Sequence, residues 1–177
     1  MAKTYGKQAL AVSVPSDAWL GYNTRYAPEG ASQTFVSSAP LVFSSGYLVV
    51  AANPTTAIAG FSLKAGSNTT AGAVNTPVIP AYNGVVIFGN FLGSAAADNV
   101  LAAADMGASF DLALSATLLG ASSPGWYISD SAASACVKIT SFASDMVLPN
   151  ISETVAVAGD TNARVTAEVL DAVYAWV

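Results

Sequence analysis

From Gly30 to Ala97, a stretch of 68 residues, the chain carries one charged side chain, Lys64. Charged residues make up 10% of the whole, against about 25% in an ordinary soluble domain. A protein that diffuses alone stays dispersed through a charged, mixed surface. A chain without one either enters a membrane or has its exterior covered by other protein. The span to test for insertion is Val78 to Ala97, and Pro80, Asn83, Gly84, Gly89, Asn90 and Gly93 interrupt it. Such a segment makes a poor membrane helix. The expectation is burial in protein, not in lipid.

No targeting segment is expected either. Lys3 and Lys7 have the charge of a signal n-region, but the stretch Gln8 to Val14 is short and Pro15, Ser16 and Asp17 end it. The net charge is −5, and the cations Lys3, Lys7, Arg25, Lys64, Lys138 and Arg164 are scattered, with no two adjacent. Nucleic acids and anionic membranes bind clustered cations, so neither is an expected partner.

The chemistry of sites is thin. The chain has no histidine, which removes the commonest general base and the commonest metal ligand. One cysteine, Cys136, cannot form an internal disulfide or a zinc site; between Ala135 and Val137 it reads as a small buried hydrophobe. Gly120 to Gly125 spaces its glycines like the start of a phosphate loop but lacks the Lys and Ser/Thr that should follow, so it reads as a turn. Asp98, Asp105 and Asp111 are the carboxylates closest to an acid–base set, and they read as helix-cap and turn residues. Asp160-Thr161-Asn162 offers oxygens to calcium but reads first as a turn beside Gly159. No catalytic, cofactor or metal residue is expected, and the chain is not expected to be an enzyme.

Residues 1–55 read as an extended N-terminal arm with short strands, and 56–177 as a β-rich body. In the arm, Tyr5, Trp19, Tyr22, Tyr26, Phe35, Phe43 and Tyr47 are spread among Pro15, Pro28, Gly30 and Pro40 without a helical period. They either anchor the arm on another surface or pack on the chain's own core. Leu41–Phe43 and Tyr47–Val50 predict strands around a Ser44-Ser45-Gly46 turn. In the body, strands are predicted at Ile58–Leu63, Val74–Ile79, Val85–Phe88, Trp126–Asp130, Val137–Phe142 and Val165–Leu170. Ala65–Gly72 reads as a flexible loop, Asn83-Gly84 as a hairpin turn, and Asp98–Ala104 as the one helix, capped by Asp98. Met106–Leu114 mixes strand and turn. Alternation of apolar and polar residues in the last strands leaves one face solvated. The fold class expected is mainly β: a small β-barrel or sandwich-like body with one short helix and the arm.

Gly125-Trp126-Tyr127-Ile128-Ser129-Asp130, then Ala135-Cys136-Val137-Lys138-Ile139-Thr140, then Gly159-Asp160-Thr161-Asn162-Ala163-Arg164-Val165 resemble, in texture and order, the head decoration (cement) proteins of tailed bacteriophages. Chains of that family often run GWYVD, VRI and GDTNGRVEVRVL towards their ends. Asn75–Ala81 and Asp105–Leu112 are similar to earlier parts of the same pattern, so the likeness covers roughly residues 56 to 173. Ala163 stands where the pattern has Gly, which bears on the geometry of that turn. The resemblance implies a β-rich barrel-like body, made in the host cytoplasm and mounted on the outer surface of the capsid. There it would bridge neighbouring major capsid protein subunits and stabilise the virion, with self-association as trimer or dimer. The interface candidates are Trp19, Tyr22, Tyr26 and Phe35 in the arm, with Trp126, Tyr174 and Trp176 nearer the body. The alternative reading is a carbohydrate-binding or adhesive β module, such as a fibre head or surface lectin, whose aromatics would stack on sugar.

Overall fold

The computed structural model describes residues 2, 4, 6–13, 24–81, 85–93, 100–142 and 157–170. Half of the described residues are strand and 2% helical, so the class is mainly β. Among the described residues thirteen strands follow in order: β1 Ala11–Ser13, β2 Arg25–Pro28, β3 Gln33–Phe35, β4 Pro40–Ser44, β5 Tyr47–Val50, β6 Gly60–Ser62, β7 Gly66–Asn68, β8 Asn75–Pro80, β9 Val86–Leu92, β10 Ser109–Ser115, β11 Gly125–Ser129, β12 Val137–Phe142 and β13 Arg164–Val169.

Five of these close on themselves. β9 pairs with β11, β11 with β10, β10 with β12, β12 with β13, and β13 returns to β9. Closure removes the open edges that expose unpaired backbone groups. Along β13 the pattern is strict: Val165, Ala167 and Val169 are buried while Arg164, Thr166 and Glu168 are only partly covered. A five-stranded barrel is narrow, so large and small residues must alternate inside it. Val165 faces Gly89 across the β13–β9 ladder, and Ala167 faces Ile87. Phe91 and Phe110 meet edge to face at 5.0 Å, a favoured aromatic geometry.

β1 pairs with β9 on the barrel, and strands β2–β8 build a second lobe from residues 24–81. β2, β8, β6, β4 and β5 form an antiparallel sheet, with β3 and β7 paired beside it. A bridge between Glu29 and Leu48, and a hydrogen bond from the Gly30 amide to the Leu48 carbonyl, draw its two edge strands together. The β4–β5 hairpin turns at Ser45 and Gly46 with φ of 51° and 82°, as a tight primed turn needs. Asn53 joins the lobes: its side-chain oxygen accepts from the Leu114 amide at 2.9 Å, and its nitrogen donates to the Leu114 carbonyl at 3.2 Å. One hydrophobic cluster runs through both lobes.

Several expectations change here. Strands β2, β3 and β4, which lie within residues 1–55, pair with β8, β7 and β6, so the sheets do not divide at residue 55. Three- to five-residue strands bounded by Pro28 and Pro40 look like loop sequence because so few residues alternate. The segment Ala65–Gly72 holds β7. β8 and β9 are not hairpin partners: β8 is flanked by β2 and β6, and β9 belongs to the barrel. Residues 82–84, the expected turn, lie outside the described residues. Of the expected helix, Asp98 lies outside them too, Val100 forms an isolated bridge with Thr161, and Ala103–Asp105 is a single 3₁₀ turn. The Asp105 carboxylate accepts from the Ala102 amide at 2.7 Å and closes that turn.

Candidate functional site

Three of the six acidic residues described are buried: Glu29, Asp111 and Asp160. Each has local work. Asp111 Oδ1 accepts from the Ser134 amide at 2.8 Å, pinning the loop between β11 and β12. Asp160 Oδ2 accepts from the Val157 amide at 3.0 Å, closing the turn that leads into β13. Glu29 Oε1 accepts from the Thr76 hydroxyl, while Oε2 has no hydrogen-bond partner among the described residues. Asp105 thus closes its own 3₁₀ turn, while Asp111 binds a loop amide from within β10 and is not itself a turn residue. Asp98 lies outside the described residues.

The burial of Glu29 sharpens the charge gap. Across residues 24–81 the only exposed charged side chains are Arg25 and Lys64. The outside of this lobe is built from Ser, Thr, Asn, Ala and Pro, with Tyr26 and Leu63 exposed among them. Tyr26 is the most exposed large apolar residue described, at 71%. Strand alternation sets this: on edge strand β2, Ala27 turns inward and Tyr26 outward, opposite Pro77 of β8.

The other interface candidates divide. Phe35 and Trp126 are buried in the shared core, 6% and 2% exposed; on this chain they follow the core alternative. Both line an apolar cleft of about 130 Å³ where the lobes meet, with Thr34, Val36, Val50, Leu114 and Pro124. Gly66 makes room for the Phe35 ring, since a Cβ there would sit 2.2 Å from the ring edge. Trp19, Tyr22, Tyr174 and Trp176 lie outside the described residues. Cys136 is fully buried, and desolvation by that burial pushes its thiol up to about 12.

Sequence reasoning passed over two features. Val100 and Val157 are exposed at one end of the barrel, brought together by the Val100–Thr161 bridge and the bond from the Leu101 amide to the Asp160 carbonyl. The second is Asn90, a wholly buried amide in the middle of β9. Its signal was a polar residue inside the apolar run Val85–Leu92. In the Asp160 turn the left-handed residues are Gly159 and Asn162, so Ala for Gly at position 163 falls where no left-handed backbone is required. Among the described residues no group of three His, Cys, Asp or Glu is placed to hold a metal ion. Comparison with protein-family models, curated proteins and solved structures gives no match.

Proposed function

We propose that this chain is a structural virion protein of a tailed bacteriophage, mounted on the outer capsid surface, where it bridges major capsid protein subunits and stabilises the shell. The observation that carries the reading is the outer face of the 24–81 lobe, with Arg25 and Lys64 as its only exposed charges. Desolvating a charge is costly unless it is paired, whereas hydroxyl, amide and small apolar groups are covered at little cost. Tyr26 stands out from that face as an aromatic anchor. One standard footprint is roughly 800 Å² per partner, about a tenth of the chain's 8933 Å². A charge-poor exterior of this extent suits several contacts, with the shell and with sister copies. Copies held side by side then raise each other's effective concentration on the shell.

The test is direct. Purified chain is mixed with expanded empty heads and sedimented, and the rupture temperature of the heads is followed. The expected result is saturable binding, a raised rupture temperature and little loss of binding at high salt, because few charges take part. Tyr26→Ala should weaken binding about tenfold, on the order of 1.4 kcal/mol, with no change in the melting of the free chain. A chain that stays in the supernatant and remains monomeric at high concentration refutes the proposal. Selective retention on a glycan array would instead favour the adhesive module.

A further inference from the structure

Residue 4 and residues 6–13 lie along β9 as a strap. At one end Thr4 bridges to Thr161. Asn90 then takes hold of two strap residues: its Nδ2 donates to the Gly6 carbonyl at 3.2 Å, and its Oδ1 accepts from the Gln8 amide at 2.7 Å. Leu10 is the buried anchor, 4% exposed, and packs on Gly89, where a Cβ would lie 2.8 Å from Leu10 Cδ1. At the other end Ala11, Val12 and Ser13 pair antiparallel with Phe88, Ile87 and Val86. β11 takes the continuing positions Phe91 and Leu92. β9 thus presents a slot with backbone groups for three residues, a side-chain amide for two more and a glycine hollow for one leucine. The outward residues Thr4, Gly6, Lys7, Ala9 and Ala11 are exposed.

The slot is filled from far away in sequence. After Ser13 the chain enters the other lobe at Arg25 and returns to the barrel only at Val86. Eleven residues, 14–24, separate the strap from β2, a contour length of at most roughly 40 Å. Nothing in the strap's contacts depends on which copy supplies it, since the described ones are to β9, Asn90 and Thr161. Exchange between two copies would keep them all and add copy-to-copy contact, which the charge-poor exterior favours. Swapping an identical element is a low-cost route to oligomers.

We infer that the strap of one copy, Thr4 and residues 6–13, seats in the β9 slot of another, so that Leu10 and β1 of the neighbour complete each barrel. This rests on the self-association in the reading above and gives it a mechanism. Ser13 and Val86 are opposed in the ladder, so a cysteine at each lies within disulfide reach when the strap is seated. Cys136, buried and held as the thiol, stays out of the reaction. Three full-length proteins are compared: Ser13→Cys, Val86→Cys, and the double variant. The two single variants are mixed at high concentration, oxidised, and run without reductant, with the bond located by peptide mass. The expected result is a shift to a covalent dimer joined through positions 13 and 86, while the dilute double variant closes within one chain. Internal closure of the double variant with no mixed dimer overturns exchange, and failure of the double variant to close overturns the strap geometry. Sedimentation of the internally closed variant with empty heads keeps the two proposals apart: binding like the parent chain leaves the capsid reading standing without exchange.

Discussion

Replacing Asn90 by Ala removes both side-chain hydrogen bonds to the strap, to Gly6 and Gln8, and a third, from Nδ2 to the Asn162 carbonyl at 2.6 Å. When the strap lifts, water satisfies the freed Gly6 and Gln8 groups, so the two bonds enter the opening equilibrium at their net worth. At about 1 kcal/mol each, opening becomes easier by about 2 kcal/mol, or roughly 30-fold. The third bond holds the turn before β13, and its loss falls on the barrel as a whole. Trypsin reads the difference. Lys7 is exposed, but the amide on the far side of its peptide bond is the one donated to Asn90, so cleavage after Lys7 requires the strap to lift. Where reclosing outpaces cleavage, the rate follows the open population. Cleavage after Lys7 should therefore rise about 30-fold, while cleavage after Lys64, exposed in the other lobe, should not change. Equal rises at both sites would mean global loosening, and an unchanged rate at Lys7 would mean that Asn90 does not hold the strap; either result defeats the reasoning.

Trp126→Ala should enlarge the cleft between the lobes and cost about 3–5 kcal/mol in urea unfolding, because the ring is buried against both lobes. A cost typical of a surface site would show that the lobes do not share this core. The Cys136 thiol predicts an alkaline limit. Its folded value of about 12 lies above the ordinary 9.0, so the folded state favours the protonated thiol. That contribution is fully present below pH 9 and is lost as pH rises towards 12, by about 1.4 kcal/mol per unit. The stability advantage of the parent over Cys136→Ala should narrow across that window, as read from urea midpoints. A thiol reagent that modifies the native protein at pH 8 as fast as the unfolded chain would contradict the burial.

What could be read from the sequence was set by how many residues each element has in which to show a period. β12 occupies Val137–Phe142 as expected, because Val137 and Ile139 alternate with Lys138 and Thr140. The β4–β5 hairpin was legible from Ser-Ser-Gly between two apolar triplets. β3 and β7 were not: three residues, one of them Gly66, cannot show alternation. Asn83-Gly84 suggested a hairpin on local chemistry, but the partners of β8 were already distant strands β2 and β6, and pairing across that distance leaves no local mark. The strap failed for a related reason. Leu10 and Asn90 look ordinary until a ladder brings positions 11–13 against 86–88. Of the interface candidates, Tyr26 owes its exposure to strand parity, and Phe35 and Trp126 owe their burial to a lobe junction that no single window contains.

The same accounting changes what the net charge means. Of the eleven acids, six are described, and Glu29, Asp111 and Asp160 are buried. That leaves Asp105, Asp130 and Glu168 at least partly exposed against the exposed Lys7, Arg25, Lys64 and Lys138, with Arg164 half-buried. Among the described residues the exterior is therefore not acidic; Lys3 and the other five acids lie outside them. An acidic isoelectric point would suggest a protein steered by its field to a basic partner. Among the described residues the exterior shows no acidic field, and its few charges are spread over two lobes. On the capsid proposal, recognition by these surfaces would come from shape, backbone pairing and apolar or hydroxyl contact. These act only at close range and would gain from many copies held in register, as in a lattice.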